Sequence, residues 1–472
     1  MKKIIGRERE MEMLRHCLAS DGAELVAVYG RRRVGKTYLI RHAFADDFFF
    51  YFTGAIGSTK KEQLDRFAKA LVAQTGAAAE DLGSWPQAFE QLAAQIEWAQ
   101  SKPKKIIFID ELPWLDSQKS GFLHAFDFFW NSFASSRKDV LLIVCGSATS
   151  WITRKLFRNR GGLRSRVTAR IPVRPFTLAE CEAFLKAKNV PLSRYDIVEA
   201  YMIFGGIPYY LDYFEGNCSL AGNVDNILFA EDAPLKGEFR ELYASLFKNP
   251  EIHSRLVATL SKSMKGLTRE ELIEASGAKN GGSLTRVLED LELSGFIRKR
   301  HAFPNKVTGA LYQLTDSFSL FYFSVMEKVR QADVHYWAKS QNAPCLAAWR
   351  GCAFELACLR HVEQIRFGLG IAGVLVEISS WKSRNAGPGA QVELVIDRRD
   401  NVINLCEIRF SRHEYVMDKE TEDNLRGKLA AFAEETKTRK ALHLTMVTTY
   451  GVKRNPHSGI VQAQVAMDAL FA

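Results

Sequence analysis

The residues best suited to chemistry lie in GRRRVGKT, Gly30 to Thr37, which fits the spacing G-x-x-x-x-G-K-[ST]. Glycines at those places let backbone N–H groups turn inward around phosphate oxygens. A helix starting directly after them adds positive potential, and Lys36 supplies a mobile charge for the β- and γ-phosphates. Thr37 offers a hydroxyl to Mg2+, and Arg31, Arg32 and Arg33 add cations, although loop arginines are more often solvated than bound. The stretch assigned to the nucleotide is therefore Gly30, Arg31, Arg32, Arg33, Val34, Gly35, Lys36, Thr37 and Tyr38. The plain alternative, a glycine turn with an incidental lysine, is disfavoured by the apolar run before it and the helical pattern after it.

A second group complements the first. In IIFIDELPWL an apolar run ends on Asp110 and Glu111, where a buried strand would deliver both acids beside the phosphates. Asp110 would hold Mg2+ through water, and Glu111 would orient or deprotonate the attacking water. As a lone feature Glu111 would read as a surface carboxylate. In LLIVCGSATSWI, Ser147 or Thr149 could meet the γ-phosphate or the lytic water, or else cap a helix. Arg166, in GLRSRVTARIPVRPF, is the candidate transition-state arginine. Arg160, Arg164, Arg170 and Arg174 share that run, so a solvated basic face is the alternative.

The elements that must carry these residues read as a parallel α/β sheet. ELVAVYG, DDFFFYFTG, KKIIFIDE and DVLLIVCGS are strand candidates separated by helical stretches such as KEQLDRFAKALVAQ and WPQAFEQLAAQIEWAQ. From Pro175 the pattern turns helical, as in FTLAECEAFLKAK. Between Ile252 and Leu314 three helical segments precede a hairpin candidate, FIRKRHAFPNKVTGALYQL, which is winged helix-turn-helix order. After an aromatic helical bridge from Asp316 to Trp349, the order becomes α-β-β-β-α-β. It runs from WRGCAFELACLRHVEQI through GVLVEIS, QVELVIDR and VINLCEIRF to ALHLTMVTT.

Composition sets the bounds. The 472 residues suggest about three domains. With 47% hydrophobic and 25% charged residues, disordered and fibrous classes are excluded for most of the chain. A formal charge of +10 favours polyanions without choosing among nucleotide, nucleic acid and membrane surface. Eight cysteines at irregular spacing give neither a disulfide framework nor zinc-ligand pairs, which fits a reducing cytoplasm. No apolar run approaches the ~20 residues of a membrane span, and no export signal opens the chain.

Taken together, IIGREREMEML, GRRRVGKT, IIFIDELPWL, CGSATSWI and FGGIPYYL resemble the prokaryotic ATPases of the AAA+/STAND group, related to the origin-recognition clade. The resemblance implies ATP rather than GTP. It places Ile5, Gly6 and Arg7 near the adenine, and matches Gly206 to Pro208 with a lid motif that packs on bound nucleotide. It covers Met1 to Phe214 and extends to the C-terminal region, which is similar to an uncharacterised domain attached to such ATPases.

For the winged helix, Arg298, Lys299, Arg300 and Lys306 are expected on the wing, where they could meet DNA phosphates. Its third helix carries Glu289, Asp290 and Glu292 against one cation, Arg286, and so suits protein docking equally well. In the last domain, Glu355, Glu393, Glu407 and Arg409 resemble the PD-(D/E)XK nuclease arrangement, in which acids from neighbouring strands converge on a metal. Two departures stand against cleavage: glutamate replaces the usual aspartate, and Arg409 replaces lysine. The alternative pairs these carboxylates with Arg409, Arg398 or Lys382.

The expectation is an α/β multidomain protein. It has a P-loop ATPase core over 1–174, a helical lid over 175–240, a winged helix over 241–315, a helical linker over 316–349 and a nuclease-like domain over 350–472. Its cofactors would be ATP and Mg2+, and DNA, a second copy or a protein its partners. Its place would be the cytoplasm, and membranes are excluded. The competing function is a nucleotide-dependent signalling switch that docks proteins and does no nucleic-acid chemistry.

Overall fold

The computed structural model describes residues 4–78, 80–99, 104–158, 162–263, 265–303, 306–329, 333–383 and 390–472. The chain forms two compact units, Met1–Pro175 with Ala244–Lys248, and Phe176–Tyr243 with Asn249–Ala472.

In the first unit α1 (Glu8–Ala19) leads into β1 (Glu24–Tyr29), α2 (Lys36–Ala43) and β2 (Phe50–Thr53). Then come α3 (Lys60–Thr75), α4 (Trp85–Trp98), β3 (Lys105–Asp110), α5 (Phe122–Ser132), β4 (Val140–Gly146) and β5 (Ala169–Pro172). The sheet order is β2-β3-β4-β1-β5, and every pairing is parallel. All residues of β3 and β4 are buried, as continuous apolar runs covered by helices on both faces must be. α3 starts at a capping box of Thr59 and Glu62, and α4 at Ser84 followed by Pro86. Both press aromatic residues into one core, where Phe67 meets Phe50, Phe52 and Trp85, and Phe89 meets Phe129. The sheet so built presents the C-terminal ends of β1, β3 and β4 side by side.

The second unit begins with helices Leu178–Ala187 and Arg194–Phe204, each opened by a capping box, Thr177 with Glu180 and Ser193 with Asp196. Helices Pro250–Ser261, Arg269–Ser276 and Gly282–Leu293 precede an antiparallel hairpin, β6 (Ile297–Ala302) and β7 (Lys306–Leu314). Helix Pro344–Arg360 breaks from Val362–Gly368 at His361, where WRGCAFELACLRHVEQI had read as one helix. β8 (Val376–Lys382), β9 (Gln391–Arg398), β10 (Val402–Arg409), helix Lys419–Thr436, β11 (Ala441–Thr448) and β12 (Ala463–Ala466) complete the unit.

The hairpin does not project as a free wing. Ala302 pairs in parallel with Ser380, and Phe303 N–H donates to Ser380 O at 2.8 Å, so β6 and β7 extend one seven-stranded sheet of order β12-β11-β10-β9-β8-β6-β7. Two of the four expected wing cations are accordingly turned inward. Arg298 donates to Gln313 Oε1 through Nε and Nη2 at 3.0 and 2.6 Å, and Arg300 meets Glu393 at 3.2 Å. Burial, with Arg300 alongside, pushes the Arg298 guanidinium down to about 9. Lys299 stays exposed, and the Lys306 side chain lies outside the described residues.

Candidate functional site

The loop between β1 and α2 takes its shape from backbone that only glycine fits. Gly30 has φ +152°, and a Cβ there would lie 2.1 Å from Val173 O. Gly35, at φ +88°, sits where α2 begins. The N-terminus of α2 thus opens toward the loop, the arrangement that receives an anion. Lys36 is buried and folds back across the loop, its Nζ donating to Gly30 O at 3.0 Å and Arg31 O at 2.9 Å. Arg31 is buried, Arg32 and Arg33 are half-buried, and Tyr38 is exposed and stacked with His42.

The acids arrive from β3 as the sequence pattern requires. Thr37 Oγ1 donates to Asp110 Oδ2 at 2.8 Å, and Asp110 Oδ1 accepts from Glu111 N–H at 2.9 Å. Hydroxyl and carboxylate already face one another, which is the donor set that suits Mg2+ with its retained waters. Glu111 is a non-glycine residue at φ +47°, a sparsely populated conformation of the kind that collects at functional sites. Its Oε2 accepts from both the N–H and the hydroxyl of Ser147, at 3.1 and 2.9 Å. Burial raises the Glu111 carboxyl above its ordinary value. Lys36 and the Ser147 amide pull the other way, and Asp110 adds to the rise. A carboxylate raised in this direction is better matched to accepting a proton from water.

Ser147 follows Gly146, whose absent side chain makes room for Pro113, since a Cβ there would lie 2.7 Å from its Cδ. Thr149 is buried nearby in the chain, and among the described residues its hydroxyl has no hydrogen-bond partner. The resemblance places Arg7 near the adenine. Its Nη2 donates to Val34 O at 3.1 Å and Arg174 O at 2.8 Å, so it also ties the phosphate loop to the chain after β5, with Gly6 buried beside it. That bracing was missed in the sequence, where GRE carries no sign of its partner 167 residues on. Arg166 is exposed ahead of β5, and among the described residues no hydrogen bond or ion pair joins it to Lys36, Asp110 or Glu111. Arg160 lies outside the described residues.

In the second unit Gly206 has φ +70°, and its carbonyl accepts from Phe176 N–H at 2.7 Å, while Pro208 opens the short helix Pro208–Leu211. The carboxylates of the last domain are each engaged. Glu393 is held by Arg300, and burial with the Glu393 carboxylate nearby raises Glu355 well above the carboxylate range. Glu407 meets Arg409 at 2.6 Å and Lys428 at 3.0 Å. Of the expected counter-cations Arg409 holds its acid, whereas Arg398 pairs with Asp400 and Lys382 is exposed. Among the described residues no three His, Cys, Asp or Glu side chains gather to hold a metal ion, and no helix is long and apolar enough to cross a membrane.

Residues 4–214 match a family described as an ATPase domain predominantly from Archaea. The chain is 26% identical over 323 residues to an uncharacterised protein of Methanocaldococcus jannaschii, covering 68% of each. It is similar to the Walker-type ATPase of Pyrococcus abyssi at 18% identity, over 68% of this chain and 96% of that one, with a TM-score of 0.48. It is also similar to the ORC2 protein of Aeropyrum pernix at 15% identity, over 72% and 96%, with a TM-score of 0.44. With the phosphate loop, its lysine and the paired acids of β3 brought together, residues 4–214 are similar to an ATPase domain of the kind found predominantly in Archaea.

Proposed function

We propose that the protein hydrolyses ATP with Mg2+ in the cytoplasm and that its nucleotide state governs the action of the second unit on DNA. The observation carrying the first half is the Thr37–Asp110 contact at 2.8 Å beneath the glycine loop, with Glu111 held beside it. Bound Mg2+ would neutralise phosphate charge, and Thr37 with Asp110 would hold it. Lys36 exchanges its two loop carbonyls for phosphate oxygens, and α2 directs its free N–H groups at the same anion. Glu111 takes the proton of the attacking water. Ser147 fixes that carboxylate and stands ready for the γ-phosphate, and Arg166 supplies transition-state charge.

Support for the second half is the order of three helices and a hairpin, read as a winged helix, together with the basic balance of the chain. The last domain serves as an organising body and not as a nuclease, because Glu393 and Glu407 are already neutralised by Arg300, Arg409 and Lys428. Glu111→Gln should retain ATP binding and lose roughly 100-fold or more in turnover, whereas Lys36→Ala should lose binding itself. Equal turnover in Glu111→Gln and the parent would remove Glu111 as the base.

A further inference from the structure

The positive charge of this chain is not spread over it. Between Val140 and Ala179 lie eight of the 64 Lys and Arg and none of the 54 Asp and Glu, so the rest of the chain is close to balanced. The same stretch contains β5, the edge strand of the ATPase sheet. Its backbone is pinned along β1, with Thr168 N–H donating to Leu25 O and Val173 N–H to Tyr29 O. Side chains alternate along it: Arg166, Thr168, Arg170, Pro172 and Arg174 are exposed, while Val167, Ala169, Ile171 and Val173 turn inward. Lys155 and Arg158 are exposed on the segment just before it. Arg170 lies over the Phe157 ring at 4.4 Å, and Phe157 in turn packs edge-on against Tyr29.

We propose that this acid-free row is where the protein grips the phosphate backbone of duplex nucleic acid, in place of the hairpin whose Arg298 and Arg300 are turned inward. The inference rests on the nucleic-acid half of the proposed function and moves the phosphate contact from the second unit to the first. Four residues of extended chain span about 13 Å, a distance over which a duplex presents several backbone phosphates to Arg170 and Arg174. Arg166 continues the row at one end. Protecting a sheet edge accounts for a proline and a charge on the strand itself, which Pro172 and Arg170 supply. It does not account for forty residues free of acid. The row is also mounted on the nucleotide loop, since Arg7 bridges Val34 O and Arg174 O, and Val173 O closes against Gly30.

The test uses the full chain and a fluorescently labelled duplex of about 25 base pairs, with anisotropy followed over a series of salt concentrations. Arg166 is left intact so that its part in turnover does not intrude. In the double variant Arg170→Gln with Arg174→Gln, the slope of log affinity against log salt should fall by about 1.8, at roughly 0.9 per phosphate contact. Low-salt affinity should fall about tenfold or more. The double variant Arg170→Lys with Arg174→Lys should restore the slope, because a point charge suffices for a phosphate, and this guards against misfolding of the glutamine pair. A glutamine variant that keeps the parent's slope overturns the row as the contact. A parent that fails to bind the duplex at low salt overturns the nucleic-acid reading itself. Displacement of the duplex by polyglutamate at equal charge concentration would identify an acidic polypeptide as the ligand and overturn the choice of nucleic acid.

Discussion

Ser147 donates both its backbone N–H and its hydroxyl to a single carboxylate oxygen of Glu111. Both bonds favour the ionised acid, while burial opposes it. Ser147→Ala removes the hydroxyl and keeps the amide, so the Glu111 carboxyl should rise further. A base must be deprotonated to work, so the acid limb of the turnover profile should move to higher pH in Ser147→Ala, with a lower plateau. An unchanged acid limb would separate Ser147 from the base.

The second prediction concerns Arg7, which is buried and holds two carbonyls from segments far apart in the chain. Arg7→Ala leaves Val34 O and Arg174 O without that donor and should cost about 2 kcal/mol or more. Denaturant unfolding of the ATPase domain should show the loss. ATP affinity should weaken as well, because the loop loses its brace. Parental stability and affinity in Arg7→Ala would leave the bracing without energetic weight.

A third prediction follows from His361. Its Nε2 accepts from Leu178 N–H at 3.0 Å, and Nδ1 faces Ala357 O at 2.7 Å, so the neutral ring is required. Burial lowers the ring from 6.5 to about 4, with Arg360 adding to the fall and the Ala357 bond opposing it. Between those values the unfolded chain takes up a proton that the folded chain refuses, so stability drops as pH falls from 6.5 toward 4. The full drop is roughly 3 kcal/mol. Stability above pH 7 is unaffected by this group. His361→Gln should flatten the pH dependence of unfolding in that window, and a slope equal to the parent's would assign the acid sensitivity elsewhere.

How much of this was readable from the chain differs by region, for physical reasons. The ATP pocket was legible because its residues are local to two apolar strands, and burial on both faces forces such strands into the centre of a parallel sheet. Thr37 and Asp110 therefore meet wherever β1 and β3 are correctly placed. β5 escaped notice because an edge strand can carry Arg170 and Pro172, which break the apolar pattern by which β1, β3 and β4 announce themselves. The fate of Arg298 and Arg300 was hidden for another reason. Whether a hairpin cation faces water depends on what pairs with the hairpin, and β8 lies some eighty residues further along. β12, only four residues long, gave too short a signal to register. Glu393 and Glu407 lie on the strands read for them, with the expected Arg409 against Glu407, but the further counter-cations, Arg300 and Lys428, come from elements that no local pattern links to them.

The shared sheet through β6 and β8 bears on how this chain can be dissected. Cutting the chain after the hairpin, at a point that looks like an open linker, would strip β6 of a neighbouring strand and leave Arg300 without its carboxylate, with only Gln313 of the hairpin still against it. A fragment ending there would expose a sticky ladder of amides and a stranded cation, and the same holds in reverse for the tail expressed alone. Evolutionary exchange of the tail as a cassette would meet the same obstacle, so hairpin and tail must travel together.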